Sequence, residues 1–580
     1  MPLGVAPTRR RVLRTLVAMP SRVVERALRW RAGIIVGGLL GSVIACSDLG
    51  PHGTPPSQRP SAAVLAQPEA SFFALVDSTA VTAPEPRGRL RSVRERPWSA
   101  DVQVSRVSNM AGSLLHSGRS VVFDVGPGRR FVALGDSVTR RADNDISWHG
   151  TLRGGVFGSV QLVLSPKGVT GFLRADTTVY VIEPLGDGLH GITRIDQRLV
   201  PPPEPPGSNP IGADSVGTPP ADSLPPAGAA ASRSGLVAGS TLVDNGAPYQ
   251  KVMVVYTPAA AAAGYDIIGL VQAAVDETNT AYQNSQMGAT LLHTGTSQVN
   301  YTEGTKSIQT IVSDLQKTND GLADDVHPLR GQQRADLVLM VIRSDPNWCG
   351  WAHTIKATAA TAFAVVGVNC LYAGNLTFAH EIGHLQGARH DRYVDNATTP
   401  YAYGHGYVDP NLQWRTIMAY RDKCTASGAT CPTVPYFSNP YITYPPTGQP
   451  MGTAAYEDNT RVLNGTKYDV ANFLAPPAPG YFSLVTNPYQ AGISPRFTYP
   501  TVAGVDGYNV YKCINAPSCG SSTYGAYTDN GSTWTWEDVF GRQSGQGTYS
   551  CARAGTYYVR ASSYVDGESP ASASATVCLQ

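Results

Sequence analysis

The stretch Thr377-Phe-Ala-His380-Glu381-Ile-Gly-His384-Leu-Gln-Gly387-Ala-Arg-His390-Asp391 carries three histidines and one glutamate at a spacing that suits one metal ion. On a helix, His380 and His384 are four residues apart and share a face, so two imidazole nitrogens reach the same ion. Glu381 sits beside them, where a carboxylate can hold and deprotonate a metal-bound water whose pKa the ion lowers to about 7. Gly387 can take the positive φ that ends a helix, which turns the chain back and presents His390 as third ligand. A fourth position stays open for water and substrate. A purely structural zinc site would close its tetrahedron with Cys or a fourth His and would not need the glutamate.

A second stretch, Thr416-Ile417-Met418-Ala419-Tyr420, follows His390. Together the two resemble the metzincin zinc endopeptidases, whose signature is HExxHxxGxxH followed by a methionine turn. Asp391 and the later Pro435-Tyr-Phe-Ser-Asn-Pro440 are most similar to the reprolysin-like branch, which includes bacterial peptidyl-Asp metalloendopeptidases. The resemblance spans roughly Gly246 to Ala475. It implies His380, His384 and His390 as ligands of one catalytic Zn2+, Glu381 as general base, and Gly387, Asp391 and Met418 as supports of the site. It also implies protein or peptide substrates, with cleavage before Asp. Tyr420 is placed either to stabilise the transition state or simply to pack. His353 and His405 lack helical spacing to the cluster and are expected to be surface or supporting residues. The rival reading is a catalytically silent surface-binding lipoprotein on a metzincin scaffold, against which the intact glutamate argues.

Composition fits this class. Charged residues make up 15% of 580 positions, the formal net charge is +2, and Gly (59) and Pro (44) are abundant. That balance suits an extracellular, loop-rich protein, and no basic run accompanies a folded segment, so no nucleic-acid partner is expected. Setting Cys46 aside leaves eight cysteines in two groups of four, as an oxidising compartment would allow. Proximity in sequence favours Cys424 with Cys431 and Cys513 with Cys519, hence Cys349 with Cys370 and Cys551 with Cys578.

The fold class expected is multidomain: an α/β metzincin catalytic domain between an all-β propeptide-like domain and a C-terminal, fibronectin type III-like β-sandwich. Residues 1–45 read as an export signal, with arginines ahead of the apolar run Gly33 to Ala45. Val43-Ile-Ala-Cys46 resembles a lipobox, which implies a lipid on Cys46 and attachment to the cell envelope, with a tether over 46–69. Residues 70–200 alternate as short strands, for example Ser120 to Val125, Phe157 to Leu164 and Thr178 to Glu183. By position they resemble an inhibitory propeptide, making the protein a zymogen, yet no cysteine lies between Cys46 and Cys349 to cap the metal. The Pro-rich stretch 201–240 reads as an exposed linker open to a processing protease. In 241–475, strands at Lys251 to Thr257, Ala335 to Arg343 and Thr361 to Val368 alternate with helices at Tyr265 to Gln283 and Thr305 to Lys317. Residues Ala362 to Val366 are candidates for the rim that pairs with an extended substrate. Residues 476–580 return to alternating strands. Calcium, oligomeric state and physiological substrate are left open by the sequence.

Overall fold

The computed structural model describes residues 71–108, 111–142, 145–204, 248–474, 479–502, 507–519, 523, 526–529, 533–546, 551–563, 567–569 and 571–580. The export signal, Cys46, the tether and residues 205–240 of the linker lie outside them.

Nine antiparallel strands between Phe73 and Ile195 form one sheet, ordered 1-2-9-8-7-6-5-4-3 along the chain numbering. The Phe72 N–H donates to the Val122 carbonyl at 2.8 Å, which ties the first strand back to the third and curls the sheet into a barrel. Strand Gly168–Ala175 shows why nearly every residue there is buried. Successive side chains point to opposite faces. Val169, Leu173 and Ala175 fill the barrel with Phe123 and Trp148, while Phe172 joins the core of the following domain. The segment is not all-β as expected. Pro84–Arg94 forms an 11-residue helix, with Pro84 at a first-turn position where its missing N–H costs nothing. Pro86, Leu90 and Val93 bury one face of it, the last two against Val104 and Leu185.

The middle of the chain folds around a five-stranded sheet in the order Thr290–Gln298, Tyr249–Tyr256, Leu337–Ile342, Phe363–Gly367, Gly350–Ala352. The first four are parallel and the last is antiparallel. Parallel strands covered on both sides read as apolar runs, and Leu337–Ile342 is buried throughout. Its alternate residues feed two cores: Leu337, Leu339 and Val341 pack with helix Ile267–Asn284, whereas Val338, Met340 and Ile342 pack with helix Ile308–Gln316. This is the α/β arrangement expected. The rim is displaced from its expected position, however. Phe363–Gly367 is an interior strand whose side chains also divide between both cores, and the free edge belongs to Gly350–Ala352.

Two four-stranded sheets follow from Ser483 onward, around Phe482, Phe497, Tyr499, Trp536, Tyr557 and Val559. The four disulfides join Cys349 to Cys370, Cys424 to Cys431, Cys513 to Cys519 and Cys551 to Cys578, the pairing expected from proximity. No described helix is long and apolar enough to cross a membrane.

Candidate active site

All nine residues of helix Thr377–Leu385 are buried, which places His380 and His384 in the interior on one helical face. Gly387 adopts φ +107°, and the turn it permits brings His390 onto that face. The three Nε2 atoms converge, with His384 3.0 Å from His380 and 2.9 Å from His390. Tetrahedral zinc with Zn–N bonds of about 2.0–2.1 Å holds such nitrogens roughly 3.3 Å apart, close to this spacing. The outer nitrogens set the tautomers: His380 Nδ1 donates to the Ile417 carbonyl at 2.9 Å and His384 Nδ1 to that of Ala388 at 2.8 Å, so Nε2 lone pairs point inward. Met418 lies beneath the helix. A Cβ on Gly383 would stand 2.6 Å from its sulfur, so that position has room only for glycine.

Glu381 is buried on the edge-strand side, where a Cβ on Gly350 would come within 2.3 Å of its Oε1. Neither carboxylate oxygen has a side-chain partner. Burial, and then the charge of Glu204, push its carboxyl well above the usual range. Asp391 joins the loop after His390 to the methionine turn, since its Oδ2 accepts from the Tyr420 N–H at 2.7 Å. The Tyr420 ring stands 4.5 Å from that of His390. His405 is buried behind the third histidine and holds its backbone, with Nδ1 2.8 Å from the His390 carbonyl. His353 is buried elsewhere, and neither belongs to the converging group.

The fourth member of that group is Glu204. Its Oε1 lies 3.0 Å from His390 Nε2 and 3.2 Å from His384 Nε2. It arrives on a strap, residues 197–204, that leaves the barrel and crosses the cleft. The Gly350 N–H donates to the Pro203 carbonyl and the Cys349 N–H to that of Pro202. Tyr420 pins the end: its hydroxyl donates to the Glu204 carbonyl at 2.6 Å and accepts from the Glu204 N–H at 3.0 Å. Two buried carboxylates face three imidazoles, and no lysine or arginine pairs with either among the described residues. A divalent cation would compensate that charge, so the donor set fits zinc.

Comparison with known proteins agrees with this arrangement. The family described as Metallo-peptidase family M12 matches residues 250–438. A peptidyl-Asp metalloendopeptidase of Stenotrophomonas maltophilia strain R551-3 is 40% identical over 320 residues, 54% of this chain and 70% of that one. Another, from Xanthomonas campestris pv. campestris, is 36% identical over 414 residues, 69% of this chain and 92% of its own. This chain belongs to that family of M12 zinc metalloendopeptidases.

Within this M12 peptidase the structure gathers every site residue expected from the motif and adds three groups that sequence reading missed. Glu204 sits in Pro-Pro-Pro-Glu-Pro-Pro, a context that reads as linker. Its one signal is a lone carboxylate among prolines, and Pro201 to Glu204 lie in the cleft rather than in an exposed linker. Gly350 carries no motif at all. Arg421 follows Tyr420 directly, and its Nη1 donates to the Arg198 carbonyl at 2.6 Å and the Val200 carbonyl at 3.1 Å.

Proposed function

We propose that this zinc endopeptidase is exported as a latent precursor, that its N-terminal barrel is an inhibitory propeptide, and that Glu204 is the latch. The observation that carries the reading is the Glu204 carboxylate at 3.0 and 3.2 Å from His390 and His384 Nε2, in the position a catalytic water would need. In this reading His380, His384 and His390 hold the zinc, and a glutamate takes the place of the cysteine that the propeptide lacks. Residues 1–45 serve as signal, Cys46 as a lipidated anchor with its tether over 46–69, and 70–200 as propeptide. The strap continues that propeptide to Glu204, 205–240 is the segment cut on activation, 241–475 the catalytic domain, and 476–580 a fibronectin type III-like appendage. Four disulfides suit export. The relatives' names point to cleavage at aspartate.

Zinc bound by the three histidines would act as a Lewis acid and acidify a water. The chain's own residues do the rest. Glu381, freed of the neighbouring Glu204 charge once the strap departs, takes the proton from that water and returns it to the leaving amine. Tyr420, whose hydroxyl is held by the strap backbone, becomes free to donate to the oxyanion of the tetrahedral intermediate. The edge strand Gly350–Ala352, whose Gly350 N–H the strap occupies, is where an extended substrate backbone pairs.

The full chain should show little peptidase activity until it is cut between residues 205 and 240, and chelation should abolish the activity that appears. Glu204→Ala should raise the activity of the uncut chain. An uncut wild-type chain as active as the cut one would remove the latch, and no chelator-sensitive cleavage in any form would return the protein to the silent-binder reading.

A further inference from the structure

Two arginines stand beside the metal centre, near Asp391 and Asp422 but with no carboxylate bonded to either guanidinium. Arg415 is half-buried, its Nε donating to the Ala419 carbonyl at 3.0 Å and its Nη1 to that of Cys431. Arg421 donates only to strap carbonyls, those of Arg198, Val200 and Gln197. Neither guanidinium has an ion pair among the described residues. Burial, and then the neighbouring Arg421 charge, lower the Arg415 pKa to about 10 against the opposing pull of Asp391 and Asp422. They line a cavity of about 30 Å3, roofed by Pro201 to Pro203 of the strap and floored by Ile417 and Tyr420. Ile417 is the residue whose carbonyl orients His380, and Tyr420 packs on His390, so the cavity adjoins the three histidines.

Two neighbouring cations favour a bound anion, and Asp391 and Asp422 act on Arg415 without bonding to either guanidinium. The strap supplies only neutral carbonyl oxygens. When it leaves, Arg421 loses all three acceptors at once and the cavity opens onto the cleft, offering a planar fork of donors backed by a second, half-buried cation. A carboxylate is the group that such a fork binds bidentately.

We propose that Arg421, supported by Arg415, is the specificity-determining residue that receives the side-chain carboxylate of an acidic residue flanking the scissile bond. The inference rests on the zinc-endopeptidase reading and deepens it: it names the residues that select an acidic substrate. The strap thereby blocks two things together, the metal centre through Glu204 and the carboxylate pocket through its carbonyls. Arg415 acts through Arg421 as a positioning residue, because its own donors are committed to backbone.

The test measures kcat/KM of the full-length chain, activated by limited proteolysis, on peptide pairs that differ only in Asp against Asn on either side of the cleaved bond. Wild type should prefer Asp at one of those positions by about 100-fold, the discrimination expected when a charged hydrogen-bonded pair is replaced by a neutral one. Arg421→Gln should reduce that ratio to within a fewfold of unity, Arg421→Lys should restore part of it, and Arg421→Glu should turn the preference toward Lys. Arg415→Gln should lower the ratio less than Arg421→Gln. Partial rescue by Lys separates recognition of charge from loss of fold. Chelator-sensitive cleavage whose Asp preference is unchanged in Arg421→Gln and Arg421→Lys overturns the assignment while leaving the peptidase intact. Absence of chelator-sensitive cleavage in wild type overturns the peptidase reading and this inference with it.

Discussion

Glu381 and Gly350 show how closely the reacting residues are fitted. Glu381→Gln keeps the volume and the three histidines but removes the base. It should retain bound zinc by elemental analysis while peptide hydrolysis falls by about 10²- to 10⁴-fold. Gly350→Ala tests the fit from the other side, since the added methyl would stand 2.3 Å from Glu381 Oε1 and 2.8 Å from Thr377 Cγ2. The carboxylate has to move, and a displacement near 1 Å costs on the order of 100-fold in kcat. An active Gly350→Ala enzyme would show that Glu381 sits elsewhere during turnover. The motif residues were legible at this scale because metal ligation demands particular side chains at particular spacings, here four residues along one helix and six across a turn. Gly350 and Arg421 were not, because their importance comes from what lies against them and from no feature of their own segments.

At the scale of elements, the disulfide from Cys349 to Cys370 ties the start of the edge strand Gly350–Ala352 to the short helix Val368–Tyr372 that precedes the histidine helix. That bridge closes a sequence separation of 21 residues around the interior strand. Its removal in Cys349→Ala/Cys370→Ala should lower stability by about 3 kcal/mol in the chain-entropy account, measured by denaturant unfolding under oxidising conditions. The larger effect should fall on activity, since Gly350 forms one wall of the site. The elements themselves were largely predictable. Helix Ile267–Asn284 and strand Leu337–Ile342 carry the periods expected of them. The rim was misplaced because a fully apolar five-residue strand looks the same whether it is interior or at an edge. Only the pairing of Gly350–Ala352 against it decides which. The helix Pro84–Arg94 escaped notice because two prolines and a glycine in 11 residues argue against a helix until Leu90 and Val93 find the barrel.

At the scale of the whole molecule, the barrel is docked on the catalytic domain by buried charge. Arg174 Nε donates to Glu277 Oε1 at 2.7 Å, and its Nη2 donates to the Gly374 carbonyl at 2.6 Å. Removing one member of a buried pair leaves the other uncompensated, at a cost of about 3–5 kcal/mol. Arg174→Ala should therefore loosen the barrel, seen as faster limited proteolysis and raised activity of the uncut chain. Acid should act on the barrel itself. His190 is buried and accepts from the Val169 N–H at 2.9 Å through Nε2, and burial lowers its pKa to about 4 from an ordinary 6.5. The folded state thus prefers neutral His190. Its contribution is complete above pH 6.5 and is lost as pH falls toward 4, amounting to on the order of 3 kcal/mol. The barrel should melt at lower temperature at pH 4.5 than at pH 7, and His190→Gln should flatten that dependence.

The metal chemistry was legible in local sequence alone: two histidines one helical turn apart, a glutamate between them and a glycine that turns the chain to a third histidine form the pattern of a zinc base-catalysis site. What fills that site was decided only by tertiary structure. Glu204 is 176 positions before His380, and Arg421 meets the strap carbonyls only because the strap crosses above it. The proposed latency and substrate choice would depend on through-space contact between distant segments, and no short-range pattern records which segments will meet.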